Sequence, residues 1–173
     1  MFVWQHIDID PAELENIRQL FYNNMPDSKH FWTEVPIGIT EFLGLPVHKA
    51  VMIQMPPKSM GVLHVDDRPN GNCLALNFAL EHCEESITEI WKPHGTDIST
   101  KVGFTTSNTP YTFYPKHRCL KVAEFKVTKP VIFRTDLPHC VNNFSKDKVR
   151  KGISIRFEQD PWHLVSVPPD QRF

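Results

Sequence analysis

The chain has 173 residues, with 19 Lys and Arg against 20 Asp and Glu and a formal net charge of −1. That length makes one domain, residues 1–173, able to bury a core without staples. Seven Gly, fifteen Pro, twelve Phe and four Trp exclude a flexible low-complexity chain and a collagen-like repeat. The first residues lack the basic start and continuous apolar run of a signal peptide, and about 18 consecutive apolar residues occur nowhere, so a soluble cytoplasmic protein with no membrane partner is expected.

In chain order, Asp10-Pro11-Ala12-Glu13 reads as a helix start, with Asp10 as N-cap and Pro11 at the first helical position. Leu14, Ile17, Leu20 and Phe21 recur at helical spacing, and Asn23, Asn24 and Pro26 end the helix, which spans about residues 10–24. Short alternating runs follow at 48–55, 62–66, 73–80, 86–91, 122–127, 131–134, 140–142 and 152–157, separated by Pro, Gly and Asn. Such runs predict a mainly β antiparallel sandwich or barrel, with its core over about residues 48–157. Residues 92–118 show weak periodicity and read as a long loop, expected to be a mobile lid contributing substrate contacts. The tail from Asp160, with Pro161, Pro168 and Pro169, is expected on the surface.

Cys73, Cys83, Cys119 and Cys140 have no Cys-x-x-Cys spacing and read as thiols in or near the core. Charge is unevenly distributed: residues 1–91 carry 5 basic and 13 acidic side chains, residues 92–134 carry 8 and 2, and residues 135–173 carry 6 and 5. The basic middle makes an acidic or phosphorylated substrate conceivable, while the overall balance argues against broad nucleic-acid affinity.

Four pieces carry chemistry. In Val62-Leu63-His64-Val65-Asp66 the strand period of two puts His64 and Asp66 on one face. On its own His-x-Asp is common on surface strands. His139, in Pro138-His139-Cys140-Val141-Asn142, can add a second imidazole, and two imidazoles with one carboxylate leave half of an iron's coordination positions open. Arg150, Gly152, Ser154 and Arg156 alternate onto one face of the closing strand, where Arg150 is placed to clamp a carboxylate. In Cys73–Leu80 the small face formed by Cys73, Ala75, Asn77 and Ala79 leaves room for a ligand that Asn77 can bond.

These pieces, in the order His64-Val65-Asp66, His139, Arg150, resemble the iron(II)- and 2-oxoglutarate-dependent oxygenases. The likeness runs from about His48 to Phe157 and is greatest to small phage and bacterial members, more distant to prolyl and aspartyl/asparaginyl hydroxylases. It implies a double-stranded β-helix, a jelly roll of cupin-like form, with an N-terminal helix. It also implies that His64, Asp66 and His139 hold Fe(II), that Arg150 pairs the 5-carboxylate of 2-oxoglutarate with Arg156 as a second anion partner, and that O2 is a co-substrate. Ser154 joins this set, although it lies four residues after Arg150 rather than in the Arg-x-Ser pattern of other relatives. The implied activity is hydroxylation or oxidative demethylation of a peptide side chain or small molecule, with succinate and carbon dioxide as co-products. A cupin-like metal-binding module or isomerase that uses no 2-oxoglutarate is the alternative.

Overall fold

Asp10 begins a long helix, α1 (Pro11–Asn24), by accepting hydrogen bonds from the backbone N–H of Ala12 and Glu13 at 2.9 and 3.1 Å. This satisfies two of the donors that a helix start leaves without partners. The computed structural model describes residues 2–25, 31–66, 71–95, 98–105 and 110–172, so Pro26, His30 and Asp67 lie outside the described residues. Ile17 and Phe21 form the buried stripe of the helix.

Among the described residues the strands run in chain order as β1 (Trp4–His6), β2 (Trp32–Glu34), β3 (Glu41–Phe42), β4 (Leu45–Met55), β5 (Ser59–Met60), β6 (His64–Asp66) and β7 (Leu74–Glu81), then β8 (Ser86–Pro93), β9 (Lys101–Phe104), β10 (Pro110–Phe113), β11 (Cys119–Phe125), β12 (Val131–Arg134), β13 (His139–Asn143) and β14 (Arg150–Phe157). One seven-stranded sheet has the order β1-β12-β7-β14-β4-β2, with β3 on β4. The other runs β11-β8-β13-β6-β10-β9, with β5 on β13. From β4 onward the chain crosses between the sheets repeatedly, to β6, β7 and β8, and again to β12, β13 and β14. That winding is a double-stranded β-helix, a jelly roll of cupin-like form.

The alternation of β7 and β14 divides their side chains cleanly. Leu74, Leu76, Phe78, Ile153, Ile155 and Phe157 face outward into the main core, where α1 covers the first sheet through Ile17 and Phe21. Asn77 and Ser154, opposite each other in register, face the interior between the sheets. One end of that interior is closed by Ala75, Ile90, Phe125, Val131 and Phe133. Leu63, Cys119 and Cys140 pack with Trp91 and Tyr114 behind the second sheet. All four cysteines are free and buried. No helix among the described residues is long and apolar enough to cross a membrane.

Two expectations change. The described parts of 92–118 are not an irregular loop: β9 and β10 form a hairpin, β10 pairs with β6, and a short 3-10 turn spans Lys116–Arg118. The pattern is weak because β9, the edge strand, is mostly exposed and β10 beside it is half-buried on both faces, so neither alternates. Residues 96–97 and 106–109 of that segment lie outside the described residues. The tail is anchored rather than merely superficial, since Val165 is buried in the main core and the Asp160 carboxylate accepts from the N–H groups of Cys73 and Leu74.

Candidate metal centre

His64 and His139 are direct cross-strand neighbours, one on β6 and one at the start of β13. Their rings lie 4.6 Å apart. Strand alternation carries Asp66 back to the same face, with its Oδ1 3.3 Å from His64 Nε2 and its Oδ2 3.6 Å from His139 Nε2. One donor atom from each residue lies within 4.8 Å of the others. Ligand atoms on adjacent corners of an octahedron with bonds of about 2.1 Å sit about 3 Å apart, so this spacing suits a single ion.

The donors are also turned correctly. His64 Nδ1 lies 2.8 Å from the Val62 carbonyl oxygen and His139 Nδ1 2.9 Å from that of Leu137. A carbonyl only accepts, so each Nδ1 carries a proton and each Nε2 is the ring nitrogen turned to the shared space, where it offers a lone pair once unprotonated. Phe133 holds the His139 ring edge-on at 5.2 Å, and Tyr111 does the same for His64 at 5.8 Å. Burial pushes the His139 imidazole down to about 4, against the pull of Asp66. Burial opposes charge on His64 as well, but there the hydrogen bond and charge of Asp66 prevail and the imidazole is raised. Asp66 is held well below the ordinary carboxylate range: burial works against this, and the Arg156 guanidinium and the two imidazoles outweigh it.

The two arginines of β14 have different fates. Arg156 donates to Asp66 and is thereby engaged at the ligand set. Arg150 is 1% exposed and has no carboxylate partner among the described residues. Its Nε donates to Ser86 Oγ at 3.1 Å, whereas Nη1 has no partner. The guanidinium lies along its own strand over Gly152, where an added Cβ would sit 2.7 Å from Nη2 and 2.9 Å from Nη1. Gly152 is therefore the bare floor that lets the side chain lie down toward Ser154 and Arg156.

Asn77 Oδ1, Thr88 Oγ1 and Ser154 Oγ are also buried without partners. All three share the interior with Arg150: Asn77 faces Ser154, and Thr88 alternates with Ser86 on β8. Ser86, Thr88 and Gly152 were not assigned a role by sequence reasoning. The Ser-x-Thr alternation at the start of β8, two hydroxyls on the face that continues with Ile90, was the available signal.

Beside the ligand set opens a cavity of about 470 Å³. The first sheet lines it with Trp32, Lys49, Met55 and Arg156, and the second with His64, Asp66, Phe104, Tyr111, Phe113 and Val141. Arg150 and Thr88 sit next to that wall, as the register neighbours of Met55 and Val141. The basic residues of 92–134 do not line it: Lys116 and Lys121 pair with Glu89 instead. Away from the ligand set, His48 pairs with Glu158, His117 is exposed while Cys119 is buried, and Trp91 and Tyr114 pack behind the second sheet.

No protein-family model matches the chain, and no curated protein matches it. Among solved structures it is similar to EvdMO1, with 12% sequence identity and a TM-score of 0.50, over 89% of this chain and 46% of that one. It is also similar to AviO1 from Streptomyces viridochromogenes Tue57, at 13% identity and a TM-score of 0.41, over 97% and 92% of the two chains. A third similar structure is oxalate decarboxylase from Bacillus subtilis, at 12% identity and a TM-score of 0.38, over 81% and 29%. The chain spans less than half the length of EvdMO1, and a likeness at this identity concerns the fold alone.

Proposed function

We propose that the protein is an iron(II)- and 2-oxoglutarate-dependent oxygenase that hydroxylates or oxidatively demethylates a C–H-bearing substrate in the cavity beside His64, Asp66 and His139. The observation that carries this reading is Arg150. A buried guanidinium without a carboxylate is costly, and the cost is relieved when an anion occupies the same site. A metal-binding module or isomerase that uses no anionic co-substrate leaves that charge unexplained.

The residues fit the group. Two imidazoles that turn Nε2 inward and one carboxylate on one side of a site match the donor set and open face of non-haem iron(II). Arg150, Ser154 and Thr88 offer a cation and two hydroxyls whose unpartnered N–H and O–H groups suit a dicarboxylate. When iron(II), 2-oxoglutarate and O2 are bound, the chemistry supplied is oxidation of a substrate C–H by one oxygen atom, the other entering succinate as carbon dioxide is lost.

Everything else falls to the chain. Val62 and Leu137 hold the imidazole tautomers through their carbonyls, so Nε2 is available without a proton to lose at His139. Arg156 steadies Asp66 and keeps it ionised. Arg150 anchors the distal carboxylate, and its aim depends on Gly152. The aromatic and aliphatic wall displaces water from the reacting face.

The test is succinate formation from 2-oxoglutarate under Fe(II) and air. Wild-type protein is expected to show slow uncoupled turnover that His139→Ala abolishes while circular dichroism stays β-rich. Retained turnover in that variant overturns the assignment.

A further inference from the structure

The cavity beside the metal ligands has a chemistry of its own. Its volume of about 470 Å³ is in the range of small-molecule sites. Tyr111 and Phe113 meet edge to face at 4.5 Å and stand opposite Asp66 and His64 in register. Gly103, across the hairpin from Tyr111, is what lets them settle: a Cβ there would lie 2.6 Å from Phe113 Cε2 and 3.1 Å from Tyr111 Cζ. The first sheet supplies an indole, Trp32, to the same cavity.

Charge narrows the choice. Among the described lining residues the only carboxylate is Asp66, already matched by Arg156. A cationic substrate finds no free acid. Apart from Arg156, the one lining Lys or Arg is Lys49, which lies 5.5 Å over the Trp32 ring, so an anionic substrate finds no cluster of cations. The rim is apolar and open, with Met60 67% and Phe104 60% exposed.

We infer that the cavity takes an uncharged, planar ring compound of low molecular weight, stacked against Trp32, Tyr111 and Phe113, and that such a compound is the substrate. The identification as substrate rests on the oxygenase reading; the binding does not. Flat rings gain from offset and edge-to-face contact with aromatic walls beyond what their area gives. A linear molecule of equal hydrophobicity does not.

The experiment uses N-phenyl-1-naphthylamine, an uncharged naphthalene whose fluorescence rises in apolar surroundings, titrated into the full chain without metal or 2-oxoglutarate. Saturable binding at one site is expected. Trp32→Ala and Phe113→Ala should each weaken it by about tenfold, and Phe113→Leu, which keeps apolar volume and the fold but loses the ring, by about fivefold. Leu120→Ala, an exposed apolar residue on β11 at the far edge of the sheet, should change nothing. Indole should displace the probe at lower concentration than 1-hexanol.

Unsaturable binding, equal displacement by 1-hexanol, or loss of affinity in Leu120→Ala alone overturns the inference. Displacement by a proline-containing peptide at lower concentration than indole also overturns it, in favour of a protein substrate. A separate thermal shift with Mn(II) and 2-oxoglutarate reports on the oxygenase reading. Probe binding without that shift keeps the ring site and removes the oxygenase; the shift without probe binding does the reverse.

Discussion

Removing a buried charge that has no partner relieves a desolvation cost, whereas removing one member of a buried pair creates one. Arg150 and Arg156 stand on opposite sides of that distinction although they share a strand face. Arg150→Met is expected to leave the ligand-free protein as stable as the parent, or more so, and to eliminate stabilisation by 2-oxoglutarate. Arg156→Met should lower the melting temperature, because Asp66 then stays buried between two imidazoles alone. Thermal denaturation of both variants, with and without 2-oxoglutarate, separates the roles. The opposite pattern would exchange the two arginines.

The two imidazoles make a second prediction at the same scale. His139, pushed down to about 4, is neutral at pH 6.5 and releases nothing when a metal binds. His64 is raised above its ordinary 6.5 by Asp66, so it holds a proton to higher pH and must give it up when a metal binds. Mn(II) affinity should therefore climb as pH rises through the His64 value, with the proton released coming from His64 alone and so at most one per ion at pH 6.5. Calorimetry in two buffers of different ionisation enthalpy measures that count; a count near two would mean that His139 is protonated as well.

At the scale of elements, the β9–β10 hairpin is built into the sheet rather than laid over it. Because β10 pairs along β6, it supports the strand that carries two of the three ligands. Deleting residues 101–113 should therefore weaken Mn(II) binding by at least about tenfold as well as removing the aromatic wall, since β6 loses its ladder on that side. A free lid would give a different result, with metal binding intact. Electron paramagnetic resonance of Mn(II) on the shortened protein decides between them, with Phe113→Leu as the control that alters the wall and leaves the ladder.

Across the whole molecule, the sheets are covered differently. The first is closed by α1 and the anchored tail, while the second keeps Leu120 and Val122 exposed on β11. Between β8 and the segment that returns from the hairpin, Glu89 accepts from Lys116 Nζ at 3.1 Å and Trp91 Nε1 at 3.3 Å, with Lys121 Nζ at 3.6 Å. Burial works to raise the Glu89 carboxyl, but Lys116 and Lys121 outweigh it and hold the group below 4.5. A carboxyl lowered on folding contributes stability that is present above its unfolded value and is lost as pH falls through the folded one. Glu89→Gln should thus be less stable at neutral pH and show a shallower loss below pH 4.5, as followed by chemical denaturation.

What near neighbours dictate is legible in the sequence. The N-cap at Asp10, the two faces of β7 and β14, and the shared face of His64 and Asp66 all follow from periods of 3.6 and 2 that depend on near neighbours. Six strands, β1, β2, β3, β5, β9 and β10, left no such trace: they are two to four residues long and exist because a distant strand offers a ladder. The contact of His139 with His64, the engagement of Arg156 by Asp66 and the position of Arg150 over Gly152 arise only when the sheets wind together. Each depends on which strand lies beside which, and that is set by burial of the core rather than by the residues that meet at the site.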